Sequence, residues 1–142
     1  MHKTLAAVAA LAAVTLTLTG CAQLHQQVGD AWAVTYEVSV DAPNASTLND
    51  VRYLGAEQRG DAATMRTIAK AATRPGAGNG GTATWTHESI VLAKDPAAVR
   101  ATPPAGRSAT CRILLDGQKV IAEEHGSAGK PVRCRVQTPA FG

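Results

Sequence analysis

The C-terminal part of the chain constrains the fold more than any other region. Apolar residues alternate with polar ones over 109–115 and again over 132–136, which is the pattern of strands with one buried face. Between them, Asp116-Gly117 is a strong signal for a two-residue hairpin turn, after which 118–123 returns as the partner strand. This region is therefore predicted to form antiparallel β-structure.

A two-residue turn fixes which residues face each other across this hairpin. Ile113 would lie opposite Val120, and Cys111 opposite Ala122. Because all four side chains are apolar, one face of the hairpin is apolar throughout. We expect this face to point into the core.

The alternation extends to earlier parts of the chain. Residues 32–40 give its clearest strand, and further strands are predicted at 51–54, around Trp85 and at 98–102. The run 89–93 is apolar after its first residue, which indicates a well-buried segment. With the hairpin and the last strand, these elements predict an all-β fold, an antiparallel sandwich of about seven strands of the immunoglobulin-like or transthyretin-like kind.

Residues 55–83 interrupt the alternation and are predicted to be an insertion. Asp61 is placed to cap a short helix over 62–73, which Pro75 would end. The glycine-rich run 76–81 is interpreted as a linker and not as a phosphate loop. No predicted strand enters it, and no Lys-Ser or Lys-Thr pair follows it.

The N-terminus is typical of an exported lipoprotein. Lys3 gives a positive start, and 5–18 carries no charge, which is the layout of a secretory signal. At about fourteen residues the run is shorter than the roughly twenty that a membrane-spanning helix needs. The Leu-Thr-Gly-Cys sequence ending at Cys21 resembles the lipobox of bacterial lipoproteins. We predict that 1–20 is a signal peptide that is removed and that Cys21 is lipidated; an ordinary signal peptide followed by a cysteine is the alternative.

Lipidation of Cys21 would hold the mature protein on a membrane, because two or more acyl chains give stable anchoring. Residues 21–31 are then the lipidated N-terminus and tether, and 32–142 the sandwich domain. A tether of about ten residues reaches roughly 33 Å at most. The protein is predicted to be exported and anchored by lipid to the outer face of the cytoplasmic membrane, close to the bilayer.

Assigning Cys21 to lipidation leaves Cys111 and Cys134 as one pair in an oxidising compartment, where we expect a disulfide; two buried free thiols are the alternative. Strands of a sheet lie about 4.8 Å apart, whereas bonded cysteines need Cα atoms within about 7 Å. A simple meander would hold the two too far apart. The last strand must therefore pair on the other side of strand 107–115 or lie in the facing sheet. The bond would contribute roughly 3 kcal/mol through chain entropy.

The composition and motifs argue against an enzyme or a nucleic-acid-binding protein. The chain has 14 Lys and Arg against 11 Asp and Glu, a net charge of +3 that is too weak to indicate nucleic acid. His25, His87 and His125 lie in separate segments without partners at metal-ligand spacing. No Gly-x-Ser-x-Gly motif occurs, and Cys111 is expected to be oxidised. We therefore predict no catalytic residue, metal or cofactor.

Side chains of a strand alternate between its two faces, and four basic residues stand at positions that alternate with the inward cysteines: Arg112, Lys119, Arg133 and Arg135. On this pattern they would form a basic stripe on the outer face of the last strands. Such a stripe would suit anionic headgroups, an acidic ligand or a partner protein. The alternative is a solvated sheet face whose edge charges discourage aggregation.

Several segments, taken in order, resemble the mycobacterial small membrane protein (MmpS) family, accessory proteins of the large MmpL permeases of the resistance-nodulation-division type. The matching segments are 34–38, 51–54, Trp85, 111–117 and 132–134. The Cys-strand-Asp-Gly-strand-Cys unit carries most of the weight. The resemblance implies a β-sandwich outside the cytoplasmic membrane that helps a permease export lipids or siderophores, and the many Ala and Arg residues suit an actinobacterium. The chain departs from the family in its lipobox, where members keep an uncleaved membrane helix, and in its 55–83 insertion.

Three functions are consistent with these features. The first is a lipid-anchored accessory protein that assists an MmpL-type permease. The second is a stand-alone lipid-anchored binding module for an apolar or glycan ligand. The third is a structural envelope lipoprotein without a ligand. No ligand-contact residue stands out in the sequence.

Overall fold

The computed structural model describes residues 30–76 and 80–141, so the predicted signal peptide, Cys21 and the tether before residue 30 lie outside the described residues. Within these ranges the chain forms strands and no helix, which confirms the all-β prediction. The strands are β1 (Ala31–Val40), β2 (Thr47–Gly55), β3 (Thr64–Ala72), β4 (Arg74–Pro75), β5 (Ala83–Leu92), β6 (Pro96–Thr102), β7 (Ala109–Leu115), β8 (Lys119–His125) and β9 (Val132–Gln137). In the same ranges, no helix is long and apolar enough to cross a membrane.

Two antiparallel sheets form the sandwich. The first has the order β4-β5-β1-β7-β8 and the second the order β3-β2-β6-β9. Where about seven strands were predicted, nine are found in the described part of the chain, because the 55–83 region contributes strands of its own. The two sheets enclose one core between their inner faces.

Strand β1 lies at the centre of the first sheet and supplies much of this core. Val34, Tyr36, Val38 and Val40 have no exposed surface, whereas the residues between them are less uniformly covered. The period-2 pattern therefore predicted the strand and its buried face correctly. The facing sheet contributes residues that are equally buried: Leu48, Val51, Val99 and Cys134.

The predicted helix over 62–73 is wrong. Thr64–Ala72 is instead strand β3, which pairs along β2 from Thr47↔Ala72 to Gly55↔Thr64. Strand β3 forms one edge of its sheet, and only Ala71 of it is fully buried. Because an edge strand with so little burial does not need alternating apolar residues, its sequence carries almost no strand signal, and pairing with β2 determines its conformation.

The run 89–93 is less buried than predicted. Val91 has no exposed surface, but its neighbours Ile90 and Leu92 are only half-buried. Strand β5 packs one face against the core and turns the other towards solvent, so successive residues differ in burial even where all are apolar.

The β7–β8 hairpin forms at the predicted place but in a different register. Asp116 and Gly117 both have positive φ, as the turn requires, yet Leu115 pairs with Lys119, and a further shift occurs between Ile113 and Leu114. Ile113 therefore lies opposite Ala122, and Cys111 opposite Glu124. Both partners are two positions further along β8 than predicted. Because a shift of two preserves side-chain faces, the inward face of β7 was nevertheless predicted correctly. Val120 was predicted to face the core opposite Ile113, but it pairs with Leu114 and is 45% exposed, so that part of the prediction is wrong.

The disulfide between Cys111 and Cys134 is present, with its Cα atoms 6.0 Å apart. It joins β7 of the first sheet to β9 of the second, so the last strand lies in the facing sheet. This is one of the two arrangements that the sequence left open. Neither cysteine has exposed surface, and the bond therefore ties the sheets together through the core.

Candidate functional site

The residues of the predicted basic stripe do not share one face. Arg112 and Lys119 belong to β7 and β8 of the first sheet, whereas Arg133 and Arg135 belong to β9 of the second. The outer faces of two packed sheets point away from each other, so the prediction of a single stripe is wrong. Arg112 also donates a hydrogen bond from Nε to the Glu123 carboxylate on β8. This ion pair neutralises the charge of Arg112.

All five aromatic residues of the chain lie in two clusters. The first is the stack of Trp32 and Phe141, whose ring centroids are 4.1 Å apart at 12°. The indole Nε1 of Trp32 donates to the carbonyl of Pro139 at 2.8 Å, which joins the residues after β9 to the start of β1. This stack closes one end of the core.

The second group, here called the aromatic cluster, consists of Tyr36, Tyr53, Trp85 and His87. The ring centroids of Tyr53 and His87 are 4.4 Å apart, and the rings of Trp85 and His87 are 5.8 Å apart and nearly parallel, at 3°. Tyr36 lies 5.8 Å from Tyr53. Such offset and tilted arrangements are favourable for π-systems. The cluster thus forms a continuous aromatic surface between the sheets.

Three strands build this cluster. Trp85 and His87 are two residues apart on β5 and therefore share its inner face, and Tyr36 on β1 pairs directly with His87. Tyr53 reaches them from β2 in the facing sheet. The Tyr36 hydroxyl donates to the Leu54 carbonyl at 2.5 Å, a second link between the sheets, and burial raises the pKa of this phenol. Sequence reasoning considered His87 only as a metal ligand and missed this arrangement.

A recess of about 400 Å³ opens beside the aromatic cluster. It lies at the edge of β5, which pairs with β1 on one side. On the other side, among residues 30–76 and 80–141, β5 meets only β4, at Ala83 and Thr84, and Ala56, at Ile90. Its walls include Tyr53, Gly55, Glu57 and Arg66 from the side of the second sheet, and His87 and Ser89 from β5. The recess therefore combines aromatic rings with a small number of polar groups, as ligand sites usually do.

A close contact between the sheets shapes one wall of the recess. A Cβ atom on Gly55 would lie 1.9 Å from the Ser89 Oγ, so only glycine allows β2 to approach β5 this closely. The next residue, Ala56, forms the bridge to Ile90, and its carbonyl accepts a hydrogen bond from the Ser89 hydroxyl at 3.4 Å. The two sheets therefore meet at this point while the space beside it stays open.

The ionisable side chains that line the recess are one cation, Arg66, two carboxylates, Glu57 and Glu88, and the His87 ring. Arg66 on β3 pairs with Tyr53 on β2, and the Nη1 atom of Arg66 is 3.4 Å from the Glu57 Oε1. The Glu57 side chain is 80% exposed, so it is free to leave Arg66 when another anion competes. Burial lowers the pKa of His87, which keeps its ring uncharged at neutral pH. Arg66 is therefore the group that would bind an anionic part of a ligand.

In the part of the chain that the structure describes, no group of three or more potential metal ligands comes together. The Nδ1 atom of His125 lies 2.7 Å from the Thr110 hydroxyl at the far end of the β7–β8 hairpin. His87, in contrast, lies on β5 and pairs with Tyr36 of β1. His25 lies outside the described residues. The histidines that are described are thus held in separate places.

Comparison of the chain with models of known protein families found no match, and comparison with curated proteins found none.

Proposed function

We propose that this protein is a lipid-anchored extracytoplasmic binding module and that the recess beside the aromatic cluster holds an amphipathic ligand. The ligand has an apolar or ring-shaped body and one acidic group. We further propose that the module serves as an accessory to a resistance-nodulation-division type permease that exports lipids or siderophores. The proposal assigns no catalytic step, cofactor or nucleic-acid partner to the chain.

The recess is the observation that carries this proposal. Tyr53 and His87 line it and are only half-buried, as is the neighbouring Trp85. Rings of this kind offer apolar faces to acyl chains and sugar rings alike. Arg66 lies at the wall of the same recess, where a carboxylate or phosphate could replace Glu57 as its partner.

The resemblance to the MmpS family supports the accessory role. Tyr36, Tyr53 and Trp85 come from three separate segments that carry the resemblance, and all three belong to the aromatic cluster. The Cys111 to Cys134 unit, which carries most of the resemblance, lies in the opposite half of the same core. Of these residues Tyr53 lines the recess itself, and the others belong to the aromatic cluster and the core beside it.

Ligand binding is tested with cis-parinaric acid, a fluorescent polyene fatty acid, titrated into the purified protein. We expect Arg66→Gln to weaken binding about tenfold, because a charge-assisted hydrogen bond is worth about 1.5–3 kcal/mol. Glu57→Gln should strengthen binding, because it removes the competing carboxylate. Arg133→Gln, on the outer face of β9, is the matched control and should bind like the unchanged protein. Equal affinity in all variants, or no binding of the probe, would contradict the proposal.

The accessory role is separated from the stand-alone alternative by crosslinking in native membranes. A crosslink to an MmpL-type permease supports the accessory role. If no permease is captured, while native mass spectrometry of the extracted protein still finds a bound lipid or glycan, the stand-alone module is the correct reading. Absence of both ligand and permease would favour a structural envelope lipoprotein.

A further inference from the structure

A row of arginines crosses the outer face of the second sheet. Arg52 on β2 pairs with Arg100 on β6, and Arg100 pairs with Arg133 on β9. Arg135 lies two residues beyond Arg133 and therefore points to the same side. These four residues are here called the arginine row. It differs from the basic stripe predicted from sequence, because two of its members come from strands in the middle of the chain.

Placing like charges directly opposite each other on neighbouring strands is unfavourable for folding. Asp50 relieves part of this repulsion: its Oδ1 is 2.9 Å from Arg52 Nε, and its Oδ2 is 2.7 Å from Arg100 Nη1. The hydrogen bond from Arg52, with a further one from Arg100, holds the pKa of Asp50 below its usual range. Asp50 therefore stays ionised and compensates one of the four positive charges.

The remaining positive charge is concentrated on β9. Neither Arg133 nor Arg135 forms an ion pair within residues 30–76 and 80–141, and both are exposed. On the same outer face, Leu54 on β2 lies opposite Met65 on β3, and Met65 is 54% exposed. The face therefore combines a positive row with the exposed apolar side chain of Met65, the combination that favours contact with an anionic membrane surface.

We propose that the outer face of the second sheet rests on anionic lipid headgroups, with the arginine row as the electrostatic contact. Charge complementarity points to this occupant. The length of the tether also points to it, because the ten residues 22–31 reach roughly 33 Å at most. The tether ends at the start of β1 in the first sheet, and packed sheets are only about 10 Å apart. Since the tether is longer than this spacing, it lets the second sheet reach the bilayer. This inference shares the lipid anchor with the proposed function but does not depend on a ligand in the recess.

The test uses the mature chain with Cys21→Ser, so that no acyl group contributes to binding. Co-sedimentation is measured with vesicles of phosphatidylcholine containing 30% phosphatidylglycerol and with vesicles of phosphatidylcholine alone, at low and high salt. We expect binding to the anionic vesicles only, falling as salt screens the charges. Arg133→Glu with Arg135→Glu should reduce it about tenfold or more, since each basic residue near such a surface contributes about 1 kcal/mol.

The matched control is Arg74→Glu with Lys119→Glu. It makes the same change in net charge, but both residues lie in the first sheet. Retained binding in this control supports the arginine row as the contact. An equal loss in both double variants would mean that net charge alone drives binding and would overturn the assignment. Absence of salt-sensitive binding to the anionic vesicles would overturn it as well, and would leave an acidic protein as the occupant to consider. The fatty-acid titration has its own readout, so either proposal can fail without the other.

Discussion

The two sides of the sandwich hold the sheets together in different ways. On one side, the disulfide between Cys111 and Cys134 joins β7 to β9 through a fully buried contact. On the other, β2 and β5 meet at Gly55 and Ser89 and at the bridge from Ala56 to Ile90, and a recess of about 400 Å³ remains beside them. The first side is covalent and closed, whereas the second is non-covalent and open.

This difference assigns most of the stability to the closed side, which holds the disulfide, and the candidate function to the open side, which holds the recess. The covalent link limits how far the sheets can part, so the opposite side can leave space between them without losing the fold. Function often resides in such less tightly packed regions, which open more easily than the core. Substitutions on the closed side should therefore change stability strongly and ligand binding little, and those on the open side should do the reverse or affect both.

The largest effect is expected on the closed side. Replacing both cysteines, Cys111→Ala with Cys134→Ala, should lower the free energy of unfolding by about 3 kcal/mol, because the unfolded chain gains the entropy of an open loop. Urea unfolding under oxidising conditions measures this change. Under native conditions the double variant should still bind the fatty-acid probe. A loss of binding without a loss of stability would contradict the division between the two sides.

A smaller effect is expected for Gly55→Ala. The added Cβ would lie 1.9 Å from the Ser89 Oγ and 2.9 Å from its Cβ, so β2 and β5 must move apart. Overpacking of this kind costs about 1–3 kcal/mol. Urea unfolding should show this loss, and the second substitution Ser89→Gly should restore most of it.

Gly80→Ala is the matched control for this substitution, since nothing lies within 4 Å of the position that its Cβ would take. It should leave the unfolding midpoint nearly unchanged. If Gly55→Ala behaved like Gly80→Ala, the close approach of β2 and β5 would not be required for the fold.

The smallest effect is a pH dependence that arises on the open side. Burial lowers the pKa of His87, so below the unfolded-state value of about 6.5 the unfolded chain takes up this proton more readily than the folded one. The contribution of the neutral His87 ring to the free energy of unfolding is therefore present above that pH and declines as the pH falls below it. The slope of the unfolding midpoint between pH 7 and pH 5 should decrease in His87→Gln. His125→Gln, at an exposed position of β8, is the matched histidine substitution, and an equal change of slope in both variants would contradict the assignment to His87.

The sequence alone predicted much of the closed side. Alternation over 109–115 and 132–136 identified β7 and β9 and their inward residues, and the cysteine count identified the disulfide. These features depend on local patterns that a strand with one buried face imposes on its own residues. The inward residues of β7 were predicted correctly even though the hairpin register differs, because they follow from the alternation within β7 itself. Beyond the bulge the β8 partners are displaced by two positions, which preserves their faces, but next to the turn they are displaced by one, and Val120 is exposed.

The open side could not be predicted in this way. Strand β3 has few buried residues and therefore lacks a strand pattern, and its partner β2 supplies the hydrogen bonds that make it extended. The aromatic cluster draws on β1, β2 and β5, whose residues are far apart in the chain. Only the pairing of β1 with β5 and the packing of the two sheets bring these rings together.

The basic residues illustrate the same division. Parity along β9 correctly placed Arg133 and Arg135 on an outer face, but it could not tell which sheet β9 joins. Pairing with β6 gave them Arg100 and Arg52 as neighbours in place of Arg112 and Lys119. The sequence by itself thus determined which residues of β1, β7 and β9 face the core, because burial acts on every second residue of such strands. Only the tertiary structure decided which strands lie side by side, because that choice depends on hydrogen bonds and packing between distant segments.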